Sequence, residues 1–229
     1  TLIRPMTDAD EALLTAAAQR LPNLMVTLAP ETVPAERIAR LARAGVIVSL
    51  GHSDCDYDTA RAAFAAGARC VTHLFNAMSQ LGSRAPGLVG AALDTPGIQA
   101  GLIADSVHVH PATMRHALAA SRGDIFLVTD AMAPAGSDIT DFTLGSRRVL
   151  RRDGRLTLED GTLAGADLTL PQALEVMQAQ VGIAAQTAFA MATAIPASVL
   201  RDPQGAGHLT PGTPCTAIHM DDQGNAHPL

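Results

Sequence analysis

At positions 46–52 the sequence reads Val46-Ile47-Val48-Ser49-Leu50-Gly51-His52, a short apolar run that ends in a histidine. A second such run, Cys70-Val71-Thr72-His73, follows an Ala-rich segment and also ends in a histidine. Short apolar stretches that alternate with Ala-rich helical patterns are typical of repeated β-α units. The two runs therefore predict neighbouring strands of a parallel sheet.

The same rhythm extends in both directions along the chain. We predict strands at residues 24–28, 46–50, 70–74, 98–104 and 125–129, and helices at 34–43, 59–66 and 111–120. This order predicts an α/β fold of the (β/α)8 TIM-barrel type, with its later strands present. A closed barrel has eight strands, so three would precede Thr1, and a start at Thr rather than Met likewise indicates an N-terminally incomplete chain.

The pattern changes after residue 130. Alternation over 142–150 and 155–158 around Asp153-Gly154 predicts a hairpin, and two helices are predicted near 171–180 and 187–194. The Gly-, Pro- and Thr-rich tail predicts short antiparallel strands at 217–220 and around Asn225. We therefore divide the chain into a partial barrel, 1–206, and the C-terminal part of a small β-sandwich domain, 207–229.

Composition excludes several kinds of partner. The net charge of −6 and the aromatic content of 3% argue against nucleic acid, which requires clustered Lys and Arg or stacked aromatic rings. No apolar run approaches the roughly 20 residues of a membrane span. Cys55, Cys70 and Cys215 show no C-x-x-C spacing, which predicts neither disulfides nor a cysteine zinc site and favours the cytoplasm.

Polar side chains stand at the ends of three predicted strands. His52, His73 and Asp130 each follow an apolar run, and the carboxyl ends of barrel strands converge on the face where active sites lie. Two imidazoles with a carboxylate suit Zn²⁺ or another divalent metal, which lowers the pKa of bound water and polarises a carbonyl group. An Asp beside that water can transfer its proton to a leaving group, so the pattern predicts metal-assisted hydrolysis.

Each of these residues has a structural alternative. A single histidine at a strand end is more often a hydrogen-bonded structural residue than a ligand, and Asp130 could cap a helix that begins at Ala131. Glu31 could be a third ligand, could cap the helix entered at Pro34, or could support a ligand from behind. We favour the cap or the supporting role.

Three motifs together resemble a known enzyme family. They are Gly51-His52-Ser53-Asp54, Thr72-His73-Leu74-Phe75-Asn76-Ala77-Met78 and Leu127-Val128-Thr129-Asp130-Ala131, and they are joined by similar stretches at 26–31, 84–88, 104–108, 160–165 and 207–212. In this order they resemble the N-acetylglucosamine-6-phosphate deacetylase family of the amidohydrolase superfamily. The resemblance implies hydrolysis of the N-acetyl group of N-acetylglucosamine 6-phosphate to glucosamine 6-phosphate and acetate.

The resemblance also implies roles for individual residues. His52 and His73 would bind a divalent metal, with Zn²⁺ ahead of Fe²⁺, Co²⁺ and Mn²⁺, and Asp130 would be the general base and then the general acid. The residues that would contact the amino-sugar phosphate are Asn76, Ala77, Arg84, Asp105, His108, Leu163, Ala164 and Gly165. Arg84 would lie near the interface of a homodimer and reach the neighbouring subunit's ligand, although it could instead be a solvated loop charge.

The sequence departs from the family pattern in two places. The family's metal-binding Glu lies in a His-x-Glu-Gly-Pro stretch that does not occur here, and we do not assign its role to Glu31, whose Leu-Ala-Pro-Glu context matches another position. Ser106 stands where the family usually has Gly, which leaves His108 in register.

Two other functions remain open at this stage. An amidohydrolase acting on a different amide would have less use for Arg84 and the Asn76-Ala77 pair. A non-catalytic sugar-phosphate-binding homologue would have no need of a proton-transfer group such as Asp130 beside a metal.

Overall fold

The structure is a computed structural model that describes residues 4–214, 217–221 and 226–228. Its largest element is a parallel sheet of five strands in sequential order. The strands are β1 (Met25–Leu28), β2 (Ile47–Leu50), β3 (Cys70–Val71), β4 (Gln99–Ile103) and β5 (Ile125–Val128). Every adjacent pair is parallel, which confirms the predicted strands and the α/β class.

Helices connect these strands. Helix α1 (Asp8–Arg20) precedes β1, and the connecting helices are α2 (Ala35–Arg43), α3 (Tyr57–Ala65), α4 (Gly87–Asp94) and α5 (Pro111–Ala120). The three predicted helices are confirmed as α2, α3 and α5. Helix α4 was not predicted, and the reason is its burial: residues 87–93 are all buried, so the helix has no polar face to create a 3.6-residue period.

A small antiparallel sheet follows the parallel one. It comprises β6 (Asp141–Leu144), β7 (Arg147–Arg152) and β8 (Arg155–Leu158), and the hairpin predicted around Asp153-Gly154 joins β7 to β8. The single alternating stretch predicted at 142–150 is in fact two strands, because Gly145 with φ of 61° turns the chain. Arg151 Nε donates to the largely buried Asp167 carboxylate at 2.6 Å and ties this sheet to the chain that follows it.

The C-terminal part is mainly helical. It contains α6 (Leu170–Val176), which runs into a π-helical turn (Met177–Val181), then α7 (Ala185–Ala192) and α8 (Ala194–Val199). The helix predicted at 187–194 is α7, which ends at Ala192, and α8 was not predicted as a separate helix beyond the irregular backbone of Thr193. An antiparallel pair, β9 (Ile218–Met220) and β10 (Ala226–Pro228), confirms antiparallel pairing in the tail, whereas Asn225 lies outside the described residues.

The amino ends of the parallel strands are covered by the segment that ends α8. Val199 packs against Ile47, Cys70 and Phe126 on one face of the sheet. Gln99 Nε2 donates to Ser198 Oγ at 2.8 Å, and the Arg201 amide donates to Asn23 Oδ1 at 2.8 Å. The loops with polar side chains therefore lie at the opposite, carboxyl ends of the strands. No helix in the described ranges is both long enough and apolar enough to span a bilayer.

Gly123, which connects α5 to β5, allows a close approach that no other residue would permit. A Cβ atom at this position would lie 1.8 Å from the Ile98 carbonyl oxygen, so the backbone itself would have to move. We expect Gly123→Ala to lower the free energy of unfolding by about 3 kcal/mol. Urea unfolding followed by circular dichroism measures this loss.

Gly154→Ala is the matched control. Gly154 has φ of 70° but nothing within 4 Å of its would-be Cβ, so only left-handed backbone strain of about 1–2 kcal/mol is expected. Equal losses in the two variants would show that the approach of Gly123 to Ile98 is not tight.

Candidate active site

Two histidines meet where β2 and β3 end. His52 Nε2 and His73 Nε2 lie 2.9 Å apart, with the rings edge to face at 75°. His73 is buried at 7% exposure, while His52 is exposed. The Nδ1 atom of His73 is buried without a hydrogen-bond partner in the described structure. Both Nε2 atoms thus point at one spot.

The electrostatics around His52 favour its neutral imidazole. Partial burial of the ring is the largest cause that lowers the pKa of His52, the neighbouring His73 lowers it further, and the Asp130 carboxylate opposes both. The neutral imidazole is the form that binds metal. The Asp130 carboxylate at the end of β5 is thus close enough to His52 to act on it electrostatically.

The backbone at this edge of the sheet is strained. Of eight described non-glycine residues with positive φ, six lie in the loops at the carboxyl ends of the parallel strands: His52 (49°), His73 (32°), Phe75 (76°), Ala77 (47°), Ser106 (62°) and Asp130 (49°). Such conformations cost of order 1–3 kcal/mol each and cluster at functional sites. His52, His73 and Asp130 are all held in this way.

The donor set fits part of a metal site. Two converging imidazole nitrogens are the kind of donor that borderline divalent metals prefer. No group of three or more His, Cys, Asp and Glu side chains within the described ranges is arranged to hold a metal ion. A metal bound by His52 and His73 would therefore need additional ligands that do not belong to a cluster of this kind.

The loops after β2 and β3 are joined to each other. The Ser53 amide donates to the Ala77 carbonyl at 3.1 Å, and the Ser79 amide donates to the Ser53 carbonyl at 3.1 Å. Asn76 and Ala77 therefore lie beside the His52 loop, with Asn76 Nδ2 bonded to the Leu74 carbonyl at 3.2 Å. The sequence predicts that these loops share one edge of the sheet, and the structure shows that they are in contact.

Ser79 is a residue that sequence reasoning missed. Its Oγ donates to the Cys55 carbonyl at 2.6 Å and accepts from the Leu88 amide at 2.8 Å, so it joins the loops after β2 and β3 to the first turn of α4. No local pattern marks a single Ser in a loop as such a junction. The only signal was its place directly after the motif that ends at Met78.

Arg84 lies apart from these contacts. It is exposed, on an irregular stretch between Ser79 and α4. Within the described part of the chain it makes no hydrogen bond or ion pair. Its guanidinium group is therefore available to a ligand or to another subunit, and its assignment to a phosphate stays a prediction.

Asp105 and His108 form a buried pair after β4. His108 Nδ1 and Asp105 Oδ2 lie 2.6 Å apart, and Asp105 Oδ1 accepts from the amides of Val107 at 2.9 Å and His108 at 2.8 Å. Burial alone would raise the pKa of Asp105, but the bonds from the His108 ring and from both amides outweigh it and lower that pKa. The ionised carboxylate therefore fixes the His108 ring.

The predicted substrate segment at 163–165 lies beside Asp130. The Ala166 amide donates to the Asp130 carbonyl at 2.9 Å, and the Met132 amide donates to the Ala166 carbonyl at 3.2 Å. Gly165 has φ of 73°, and a Cβ there would lie 2.6 Å from the Met132 side chain. Leu163, Ala164 and Gly165 are thus placed beside the strand end that carries Asp130.

Two of the alternatives from the sequence analysis are wrong. Asp130 does not cap a helix, because residue 131 enters a β-bridge instead. Glu31 does not cap α2, whose N-terminal cap is Pro34 without a side-chain bond. Glu31 instead accepts from Ser53 Oγ at 2.6 Å and from the Asp54 amide at 2.9 Å, in the loop directly after His52.

A cavity of about 390 Å³ opens beside His52. Thr27, Gly51 and His52 line one part of it, and Arg4 and Met6 line another. This volume lies in the range of small-molecule sites. The cavity therefore gives a small ligand access to His52.

Comparison with known proteins agrees with this geometry. No protein-family model matches the chain. The chain is 41% identical over 202 residues to the N-acetylgalactosamine-6-phosphate deacetylase of Shewanella sp. (strain ANA-3), which covers 86% of this chain and 50% of the relative. It is 39% identical over 178 residues to the N-acetylglucosamine-6-phosphate deacetylase of Vibrio furnissii, covering 77% and 45%.

A crystal structure extends the similarity to the fold. The N-acetylglucosamine-6-phosphate deacetylase of Pasteurella multocida superposes with a TM-score of 0.92 at 33% identity, covering 98% of this chain and 59% of that one. This chain spans about half the length of the curated relatives it matches. Sequence and structure agree that the chain belongs to the family of N-acetylglucosamine-6-phosphate and N-acetylgalactosamine-6-phosphate deacetylases, within the amidohydrolases.

Proposed function

We propose that the protein hydrolyses the N-acetyl group of N-acetylglucosamine 6-phosphate to glucosamine 6-phosphate and acetate. The observation that carries the proposal is the convergence of His52 Nε2 and His73 Nε2 at 2.9 Å beside the strand end that bears Asp130. The names of the relatives supply the substrate class. Turnover of this substrate with release of acetate is the direct test.

The architecture around the site is part of the same proposal. We infer that residues 1–206 form part of a (β/α)8 barrel, of which the five parallel strands are the later ones, and that residues 207–229 belong to a small β-sandwich domain. The sequential strand order and the similarity to the Pasteurella multocida enzyme support this architecture. Such barrels place their active sites at the carboxyl ends of the strands.

His52 and His73 would hold a divalent metal, with zinc expected ahead of iron, cobalt and manganese. When bound, such a metal lowers the pKa of water and polarises an amide carbonyl. The protein contributes two imidazoles on a strained, preformed backbone, so little rearrangement is needed for binding.

Asp130 would move the proton. As general base it accepts a proton from the attacking water, and as general acid it donates that proton to the amide nitrogen as the bond to the acetyl carbon breaks. The products are then acetate and a free amine. The backbone at Asp130, with φ of 49° and its carbonyl bonded to the Ala166 amide, fixes the start of this side chain.

The remaining residues would bind the sugar phosphate. Asn76, Ala77 and Arg84 would face the phosphate, where a guanidinium group offers a forked set of donors. His108, fixed by Asp105, and the Leu163–Gly165 segment would contact the sugar. We also propose a homodimer with Arg84 near its interface, and a cytoplasmic location, which the free and buried Cys55 and Cys70 support.

A second candidate substrate is N-acetylgalactosamine 6-phosphate. The Shewanella relative carries that name and is 41% identical to this chain. The two sugars differ only in the configuration of one hydroxyl group. Comparison of kcat/KM for the two sugar phosphates decides between them.

Asp130→Asn tests the proton-transfer role. We expect kcat for deacetylation to fall by about 10²–10⁴-fold, because Asn cannot accept the proton, while the metal content stays near that of the parent. Asp124→Asn, at the opposite end of β5, is the control and should leave kcat unchanged. More than about a tenth of parental turnover in Asp130→Asn would refute the assignment.

His52→Ala and His73→Ala test the metal site. Each should release the metal, since removal of one of few protein ligands leaves an open and weak site. Elemental analysis of the intact protein after gel filtration measures this loss, with the exposed His116→Ala as control. Stoichiometric metal in both site variants would contradict the prediction.

Arg84→Ala tests the phosphate contact. Loss of a charge-assisted contact should lower kcat/KM on the 6-phosphorylated sugar about ten- to a hundred-fold, while turnover of unphosphorylated N-acetylglucosamine changes little. Arg20→Ala, on exposed α1, is the control. Equal losses on both sugars would mean that Arg84 supports the fold instead.

Mixed protomers test whether Arg84 acts across a dimer interface. If it does, mixing Arg84→Ala with Asp130→Asn subunits creates sites with an intact Arg from one chain and an intact Asp from the other. Partial recovery of activity is then expected. No recovery in mixtures that have exchanged subunits would place Arg84 in its own subunit's site.

A further inference from the structure

The Glu31 carboxylate is committed to the loop that carries His52. Its Oε2 accepts from Ser53 Oγ at 2.6 Å, and its Oε1 accepts from the Asp54 amide at 2.9 Å. Both oxygens are therefore engaged by the two residues that follow His52. A carboxylate held in this way is a support for the loop rather than a free ligand.

Glu31 itself stands on a fixed turn. It follows β1 after the buried Ala29 and Pro30, and Thr32 closes the turn by donating its amide and its Oγ1 to the Ala29 carbonyl, each at 2.9 Å. Because β1 and β2 pair in parallel, the turn after β1 lies next to the loop after β2. The carboxylate therefore reaches its partners from a rigid neighbouring strand.

The loop requires such a support. His52 has φ of 49°, a left-handed conformation that is costly for a residue with a Cβ atom and persists only when its surroundings enforce it. Ser53, the next residue, is buried at 3% exposure. Its hydroxyl donates to Glu31 and accepts from the Cys55 amide at 3.3 Å, so the side chain organises the loop.

Ser53 also contacts the loop after β3. Ser53 forms a parallel bridge with Met78, through the backbone bonds to Ala77 and Ser79. A shift of Ser53 would therefore move the Asn76-Ala77 segment as well as His52. Glu31 thus acts on both loops through one serine.

We propose that Glu31 is a positioning residue that holds His52 in its metal-binding conformation through Ser53. This inference rests on the proposed metal site, and it assigns Glu31 no contact with metal or substrate. Its consequence is that metal affinity depends on a carboxylate that belongs to a different strand from either histidine.

Zinc binding by the intact protein tests the inference. The dissociation constant for Zn²⁺, measured by competition with a chromophoric chelator, should rise about 10- to 100-fold in Glu31→Gln, as is usual when the partner of a ligand is lost. Ser53→Ala should raise it in the same direction. The double variant should bind zinc no more weakly than Glu31→Gln alone, because either change disrupts the Glu31–Ser53 bond and only Glu31→Gln also alters the partner of the Asp54 amide. Glu36→Gln, an exposed Glu on α2, is the matched control.

Two further measurements separate positioning from a loss of fold. The midpoints of thermal unfolding of the metal-free variants should stay near that of the parent, and excess zinc should restore kcat in Glu31→Gln because Asp130 is intact. A zinc dissociation constant within about twofold of the parent in Glu31→Gln would overturn the inference. Additive effects of Glu31→Gln and Ser53→Ala would also overturn it, since Glu31 would then act by a separate route.

The outcome distinguishes this inference from the proposed function. A parent protein that binds zinc but does not release acetate would refute the proposed function. The zinc dissociation constants of the variants would then still decide the inference about Glu31. A parent protein that binds no zinc would overturn the inference together with the metal site.

Discussion

The register of the parallel sheet is the constraint on which the site depends. Leu50 pairs with Val71, and His52 and His73 each lie two residues beyond their member of that pair. Ile103 pairs with Val128, and Asp105 and Asp130 stand at the same distance beyond. Because the strands pair in this register, His52 and His73 lie at the same height along the strands, and Asp105 and Asp130 do as well. A slip of one residue would turn each set of side chains to opposite faces of the sheet.

The loops at this edge of the sheet are locally strained but held rigidly. Six side-chain-bearing residues adopt left-handed backbone conformations there, and two of them, Ala77 and Asp130, accept backbone bonds from a neighbouring loop or segment. The Ser53 and Ser79 bonds join the ends of β2 and β3, and the Ala166 bonds join the end of β5 to the 163–166 segment. A site assembled in this way is preorganised, which is the condition under which fixed charges and ligands act most strongly on a reacting group.

Much of this arrangement could be predicted from local sequence. An apolar run followed by His or Asp marks both a strand and its carboxyl end, so His52, His73 and Asp130 could be brought to one edge without a structure. Contacts between residues far apart in sequence could not be predicted in this way. Glu31 meets Ser53 across 22 positions, and Ser79 meets Cys55 across 24. Helix α4 could not be predicted for another reason. It is buried on all sides, so its sequence lacks the polar face by which an amphipathic helix is recognised.

The segment that covers the amino ends of the strands has a consequence for folding in the cell. Val199 packs over Ile47, Cys70 and Phe126. The Asn23 side chain is hydrogen-bonded to Arg201 and Asp202, which lie 178 and 179 positions later in the sequence. During synthesis the first strands leave the ribosome long before residue 199 exists. Contacts at such separation form slowly, and an apolar sheet face stays uncovered until they do. Nascent chains that stop short of α8 therefore present this face to chaperones or to one another.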